Sequence, residues 1–250
     1  MKYGSLFSGA GLGDFGFELA GLECAYFVEI DDYCQKILEL RWPNVPKFRD
    51  IKTLDPKNLP KVDLITGGFP CTDISIAQND PQGIAGERSG LWKEQLRLID
   101  SLRPKYCVVE NVAALYVRGL GTVLGDLAEV GYDAEWGCIP SSWFGAFHRR
   151  QRVWILAYSK GFGRKTITVQ GKFNFEEFST QSREWKRFQS YPTRNDYSIE
   201  QWEEIESLVC GDDDGDAHIV DRLKALGNGQ TPCSTYVIGK WILEAEGEGK

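Results

Sequence analysis

Through the first 158 residues, short apolar runs alternate with amphipathic stretches. The runs at 3–7, 24–29, 62–66, 106–110 and 153–158 are rich in Val, Ile, Tyr and Phe and predict strands, with another strand ending within 48–51. The stretches at 13–20, 32–40, 91–102 and 120–130 repeat their apolar positions at helical spacing and predict helices. Strand and helix in turn imply an α/β fold: a doubly wound, mostly parallel sheet whose ligands gather at the carboxyl ends of the strands.

From about residue 159 the periodicity is lost, and basic and aromatic residues interleave through Phe173, Phe175, Phe178, Trp185, Phe188 and Tyr191. Order returns near 220–226, and 232–244 predicts a helix with a proline in its first turn. The expected organisation is therefore a catalytic and cofactor-binding α/β domain over 1–158, a small inserted region over 159–215, and a segment over 216–250 that packs back on the first domain. The acidic run at 212–216 begins like a calcium loop. Its twelfth position is Leu223 where such a loop needs Glu, so it reads as a solvated turn and no metal site is expected.

Charge sharpens this division. The chain carries a net charge of -7, which argues against a nucleic-acid partner until the charge is located: -6 over 1–148, +8 over 149–194 and -9 over 195–250. One basic block on an acidic protein suits a polyanion better than an even distribution would. The seven cysteines are scattered without C-x-x-C spacing, so neither a disulfide framework nor a zinc site is indicated. No apolar run reaches the roughly 18 residues of a membrane span, and the first residues lack a secretion-signal pattern; a cytoplasmic protein away from membranes is expected.

Candidate chemistry lies at the predicted strand ends. Gly9, Gly11 and Gly13 follow the first strand, where missing side chains let backbone approach a ligand. Glu29 ends the second strand, placed to accept from the hydroxyls of an adenosine ribose. Asp50 could accept from an adenine amino group while Ile51 packs on the ring. A dinucleotide-dependent dehydrogenase would use the same glycines and acid. Beyond the next strand, Gly67-Gly68-Phe69-Pro70-Cys71 sets a thiol on a tight turn, which is not where inert core cysteines sit. Glu110 ends the following strand, and Arg150 and Arg152 alternate onto one face of another. A partly buried Glu can keep a proton to donate, and two guanidinium forks can hold a base carbonyl and a backbone phosphate.

Taken in order, FSGAGLGDFGFELAG, VEID, RDI, GGFPCTDIS, ENV, FHRRQRV and KALGNGQTP resemble the cytosine-5 DNA methyltransferase family over nearly the whole chain outside roughly 159–215. The resemblance implies a Rossmann-like, S-adenosylmethionine-dependent enzyme acting on double-stranded DNA as a monomer, a compact, phage-like relative of restriction–modification methylases. It also implies that Phe7, Gly9, Gly11, Leu12, Glu29, Ile30, Asp50, Ile51, Gly68, Pro70, Leu91 and Asn228 line the cofactor site. Cys71 would be the nucleophile and Glu110 the contact to the base, with Arg150 and Arg152 orienting the base and nearby backbone. The stretch 78–90 would close over a flipped nucleotide, and 159–215 would read the target site.

Three departures from the family pattern stand out. Thr72 follows the cysteine where Gln is common, His148 replaces the Gln that opens the arginine motif, and the motif usually found just before the last helical segment is missing. A relative of the family that methylates transfer RNA carries Pro-Pro-Cys-Gln around its nucleophile, which Phe69-Pro70-Cys71-Thr72 does not match. A DNA-binding protein on a decayed enzyme scaffold would not need Cys71, Glu110, Arg150 and Arg152 together.

Overall fold

A computed structural model describes residues 1–70, 90–144, 150–160 and 229–247. Seven strands form one sheet: β1 (Lys2–Leu6), β2 (Glu23–Val28), β3 (Lys47–Phe48), β4 (Leu64–Gly67), β5 (Tyr106–Val112), β6 (Tyr132–Pro140) and β7 (Gln151–Ser159). The described helices are α1 (Leu12–Ala20), α2 (Asp32–Arg41), α3 (Gly90–Leu102), α4 (Leu115–Arg118), α5 (Leu120–Glu129) and α6 (Pro232–Glu246). The strand order is β3-β2-β1-β4-β5-β7-β6. The first five pair in parallel, and β7 runs antiparallel to both β5 and β6.

The expected doubly wound sheet is present, because each central strand is apolar on both faces and needs helices on both sides. Leu6, Ile65, Cys107, Val109, Val153 and Ile155 pack with Trp92, Leu98 and Ile99 of α3 and Val123 and Leu127 of α5. On the other face Tyr3, Phe27, Leu64, Val108, Trp154 and Leu156 meet Phe17 of α1, Leu38 of α2, and Ile238 and Ile242 of α6. β6 was not anticipated. It is an edge strand carrying Asp133, Glu135 and Gly137, and mostly half-exposed, so its sequence lacks the apolar run of an interior strand. β3 stops at Phe48, leaving Asp50 beyond the strand at the start of a 3₁₀ turn over Ile51–Thr53.

The reversed strand has a functional consequence. In a parallel sheet only strand ends reach the carboxyl edge, but an antiparallel strand brings its beginning there. Arg152, at the start of β7, pairs with Val112, and Trp154 pairs with Glu110. The arginine motif thus meets the acid strand at the edge where β1 and β4 also end.

The chain divides into Met1–Thr168 with Gly229–Lys250, and Val169–Asn228. The second unit lies outside the described residues, and with it most of the predicted insert. No described helix is long and apolar enough to cross a membrane.

Candidate active site

Two groups of residues occupy the carboxyl edge. The first begins where β1 ends. Phe7, Gly9 and Gly11 all have positive φ (53°, 56° and 79°), so the chain winds through three left-handed residues before α1 starts. Glycine accepts this freely, while Phe7 holds it against a steric preference. Among the described residues, nothing lies within 4 Å of where a side chain on Gly9 would begin, so the loop presents bare backbone there. Leu12 opens α1, half-buried.

Glu29 braces that loop. Its carboxylate accepts from the backbone N–H of Gly9 (2.7 Å) and of Asp31 (2.8 Å). Gln35 donates to the carbonyls of Glu29 (2.6 Å) and Phe48 (2.9 Å), tying the ends of β2 and β3 together. Ile30 is 63 % exposed beside the acid, an unusual position for a large apolar side chain. Asp50 accepts from Lys52 N–H at 2.9 Å to start its 3₁₀ turn, and Arg97 of α3 donates to the carbonyls of Ile51 and Leu54 to fix the same turn. Ile51 itself is buried in the core, so it offers a ligand at most a small part of its surface. Open glycine backbone, a carboxylate, an exposed aliphatic side chain and a second acid form a donor set suited to an adenosine-bearing ligand.

The second group surrounds Glu110. This side chain is buried at the end of β5, and burial pushes its carboxyl pKa up; the charges of Arg152 and Arg150 pull it back down. Arg152 Nε lies 2.9 Å from Oε1 as an ion pair, and its charge and hydrogen bonding both favour the carboxylate. Oε2 points towards Gly68: a methyl group added there would fall 2.9 Å from it. Only glycine lets the turn after β4 approach the acid this closely.

Asn111 then fixes that turn. Its side chain is buried, with Nδ2 donating to the Phe69 carbonyl at 3.0 Å while Oδ1 accepts from Val112 N–H at 2.8 Å. The Phe69 ring packs on Trp92 of α3 (5.4 Å between centroids), and Trp92 Nε1 donates to Asp126 at 2.7 Å. Pro70 is exposed at the end of the described segment. Leu91 packs against the core from the first turn of α3.

Arg150 stands near this pair, close enough that its charge and that of Glu110 act on each other. It is half-buried, and its Nη2 donates to the Gly229 carbonyl at 2.8 Å. Burial, with the like charge of Arg152, lowers its pKa. Its carbonyl accepts from Ser141 Oγ (3.2 Å), which stands 3.0 Å from Thr231 Oγ1. Arg150 thus ties the start of β7 to the segment that leads into α6, while Arg152 forms the ion pair with Glu110.

The structure brings together Gly68, Glu110, Arg150 and Arg152 at one place, and Phe7, Gly9, Gly11, Glu29 and Ile30 at another on the same edge. Cys71, Thr72, His148, Asn228 and the predicted mobile stretch from 78 to 89 lie outside the described residues. Sequence reasoning gave no role to Asn111, Ser141, Thr231 or Gln230. Asn111 could have been found from its place beside Glu110, and Gln230 and Thr231 from their place in KALGNGQTP, but Ser141 signals nothing until the fold brings its segment to Arg150.

A family model described as C-5 cytosine-specific DNA methylase matches residues 1–221. The chain is 31 % identical over 182 residues to the type II methyltransferase M.CviJI of Paramecium bursaria Chlorella virus IL3A, covering 70 % of this chain and 49 % of that protein. It is 32 % identical over 205 residues to the orphan methyltransferase M.SPRI of Bacillus phage SPR, covering 73 % and 45 %. It thus spans about half the length of these curated relatives. Among solved structures, the S. pombe Dnmt2 methyltransferase is similar in fold, with a TM-score of 0.64 at 17 % identity over 98 % of both chains.

Proposed function

The chain belongs to the C-5 cytosine-specific DNA methylase family, and from that premise we propose that it transfers a methyl group from S-adenosylmethionine to carbon 5 of a cytosine flipped out of duplex DNA, through a covalent bond to Cys71. The observation that carries this reading is the meeting of the Gly68–Pro70 turn, the buried Glu110 and Arg152 at one sheet edge. Cys71 is the next residue after that turn.

The residues divide the work as follows. The glycine loop, Glu29, Ile30 and Asp50 hold the donor, which supplies an electrophilic methyl on its sulfonium. Glu110, kept protonated longer than an exposed acid by its burial, donates a hydrogen bond to ring nitrogen 3 of the cytosine. That withdraws electrons from the ring, so the Cys71 thiolate can add to carbon 6 and make carbon 5 nucleophilic. After carbon 5 takes the methyl, a base removes its proton, the carbon–sulfur bond breaks, and the thiolate leaves as the ring regains its double bond. Arg152 holds the base carbonyl beside the acid, and Arg150, tied to the Gly229 carbonyl, helps orient the base and nearby backbone. The segment 159–215, by its charge and aromatic content, reads the target site. A cytoplasmic enzyme working as a monomer on DNA completes this reading.

Purified protein should move labelled methyl groups from the donor to mixed-sequence duplex DNA. Transfer to transfer RNA alone would overturn the choice of polymer, and transfer to neither would leave a DNA-binding protein on an inactive scaffold.

A further inference from the structure

Gln230 has no assigned role, yet its side chain lies where three parts of the site meet. A methyl added to Gly13, in the first turn of α1, would fall 2.5 Å from Gln230 Oε1. One added to Gly68 would fall 3.4 Å from Gln230 Nε2 and 2.9 Å from Glu110 Oε2. The amide thus lies against two glycines, with its donor end and the Glu110 carboxyl both beside the position that a side chain on Gly68 would fill. Replacing either glycine with a larger residue would take the space that the amide fills.

The sheet order says what this arrangement adds. β5, which carries Glu110, lies between β4 and β7. The cations that act on Glu110, Arg152 and Arg150, stand at the β7 side, whereas Gln230 approaches over Gly68 on the β4 side. Resting on the function proposed above, we infer that Gln230 is a positioning residue for the acid: its amide stands at Gly68 as a neutral hydrogen-bond donor for the Glu110 carboxylate, beside the charges of Arg152 and Arg150. The donor closes on Oε2 when Glu110 gives up its proton and releases it when the proton returns. No charge is added to a site that must receive a neutral base. Because Gln230 follows Gly229, the carbonyl that Arg150 grips, the same short segment answers the acid from one side and the arginine from the other.

The test is a titration that needs neither donor nor DNA. In the full-length protein, the infrared carboxyl band that disappears in Glu110→Gln reports the protonation of Glu110. Gln230→Leu removes the donor, and Gln230→Glu keeps the size while adding a like charge. Both should hold the Glu110 proton to a pH higher by about one unit, since a hydrogen bond to the carboxylate form lowers a pKa. The fall of kcat at high pH should move the same way, with KM for the donor changed less than threefold. A band that titrates at the wild-type pH in both variants overturns the inference. Should Gln230→Leu fail to fold, Gln230→Met, which keeps the length and removes the donor without adding charge, decides it. Failure of methyl transfer by the wild-type protein would instead count against the proposed function and leave the titration to be read on its own.

Discussion

Arg152 sets its Nε 2.9 Å from Oε1 of Glu110, across the antiparallel register that pairs Val112 with Arg152. The guanidinium pulls down a carboxyl pKa that burial pushes up. Arg152→Ala should let the Glu110 pKa rise further and lower kcat roughly 100-fold or more, the scale of a general acid's contribution. Steady-state kinetics on duplex DNA would check it. Unchanged kcat would mean that the pair serves the fold only.

Gly68→Ala tests the closeness of the turn to the acid. The added methyl would fall 2.9 Å from Glu110 Oε2, so the carboxyl or the turn must shift. A displacement of this size near the chemistry should cost on the order of 100-fold in kcat. Donor affinity, measured by calorimetry, should stay within a few-fold if Glu29 and the glycine loop carry most of it.

Asn111→Ala should free the Phe69 carbonyl, two residues before Cys71, and leave it buried without a donor. The expected cost in stability is about 1–3 kcal/mol by urea unfolding. Turnover should fall by more than the unfolded fraction explains, because the thiol's turn is no longer fixed. A stability loss with kcat unchanged would show that the anchor does not reach the chemistry.

Asp14, in the first turn of α1, is buried, its Oδ1 has no hydrogen-bond partner among the described residues, and burial pushes its pKa up to about 7. An unfolded chain would release that proton near pH 3.9. The folded state therefore binds it more tightly, and the resulting stability is full below about pH 4 and is lost as pH rises through about 7. Relative to Asp14→Asn, the wild type should lose up to about 4 kcal/mol between those limits. Unfolding curves for both proteins at pH 5 and pH 8 would show it, and parallel curves would contradict it.

Most of the fold was legible because its interior strands and covering helices carry unmistakable periods. The 106–110 run became Tyr106–Val112 and the 232–244 helix became Pro232–Glu246. β6 escaped notice because an edge strand need not be apolar, and the direction of β7 cannot be read from a run of apolar residues. The site was legible wherever a motif names its own chemistry, as at Glu29, Glu110 and Arg152. What no local pattern could show was contact between distant segments: Arg150 on Gly229, Asn111 on Phe69, and Gln230 over Gly68. Such pairings depend on where the chain returns.

The central claim is that Cys71 becomes bonded to the target base. Duplex DNA in which 5-fluorocytosine replaces cytosine blocks the last step, since fluorine cannot leave as a proton does. Incubated with this DNA and S-adenosylmethionine, the wild-type protein should form a denaturation-resistant adduct that peptide mapping places on Cys71, and Cys71→Ala should form none. An active enzyme that yields no adduct, or one that maps to another residue, would contradict the account.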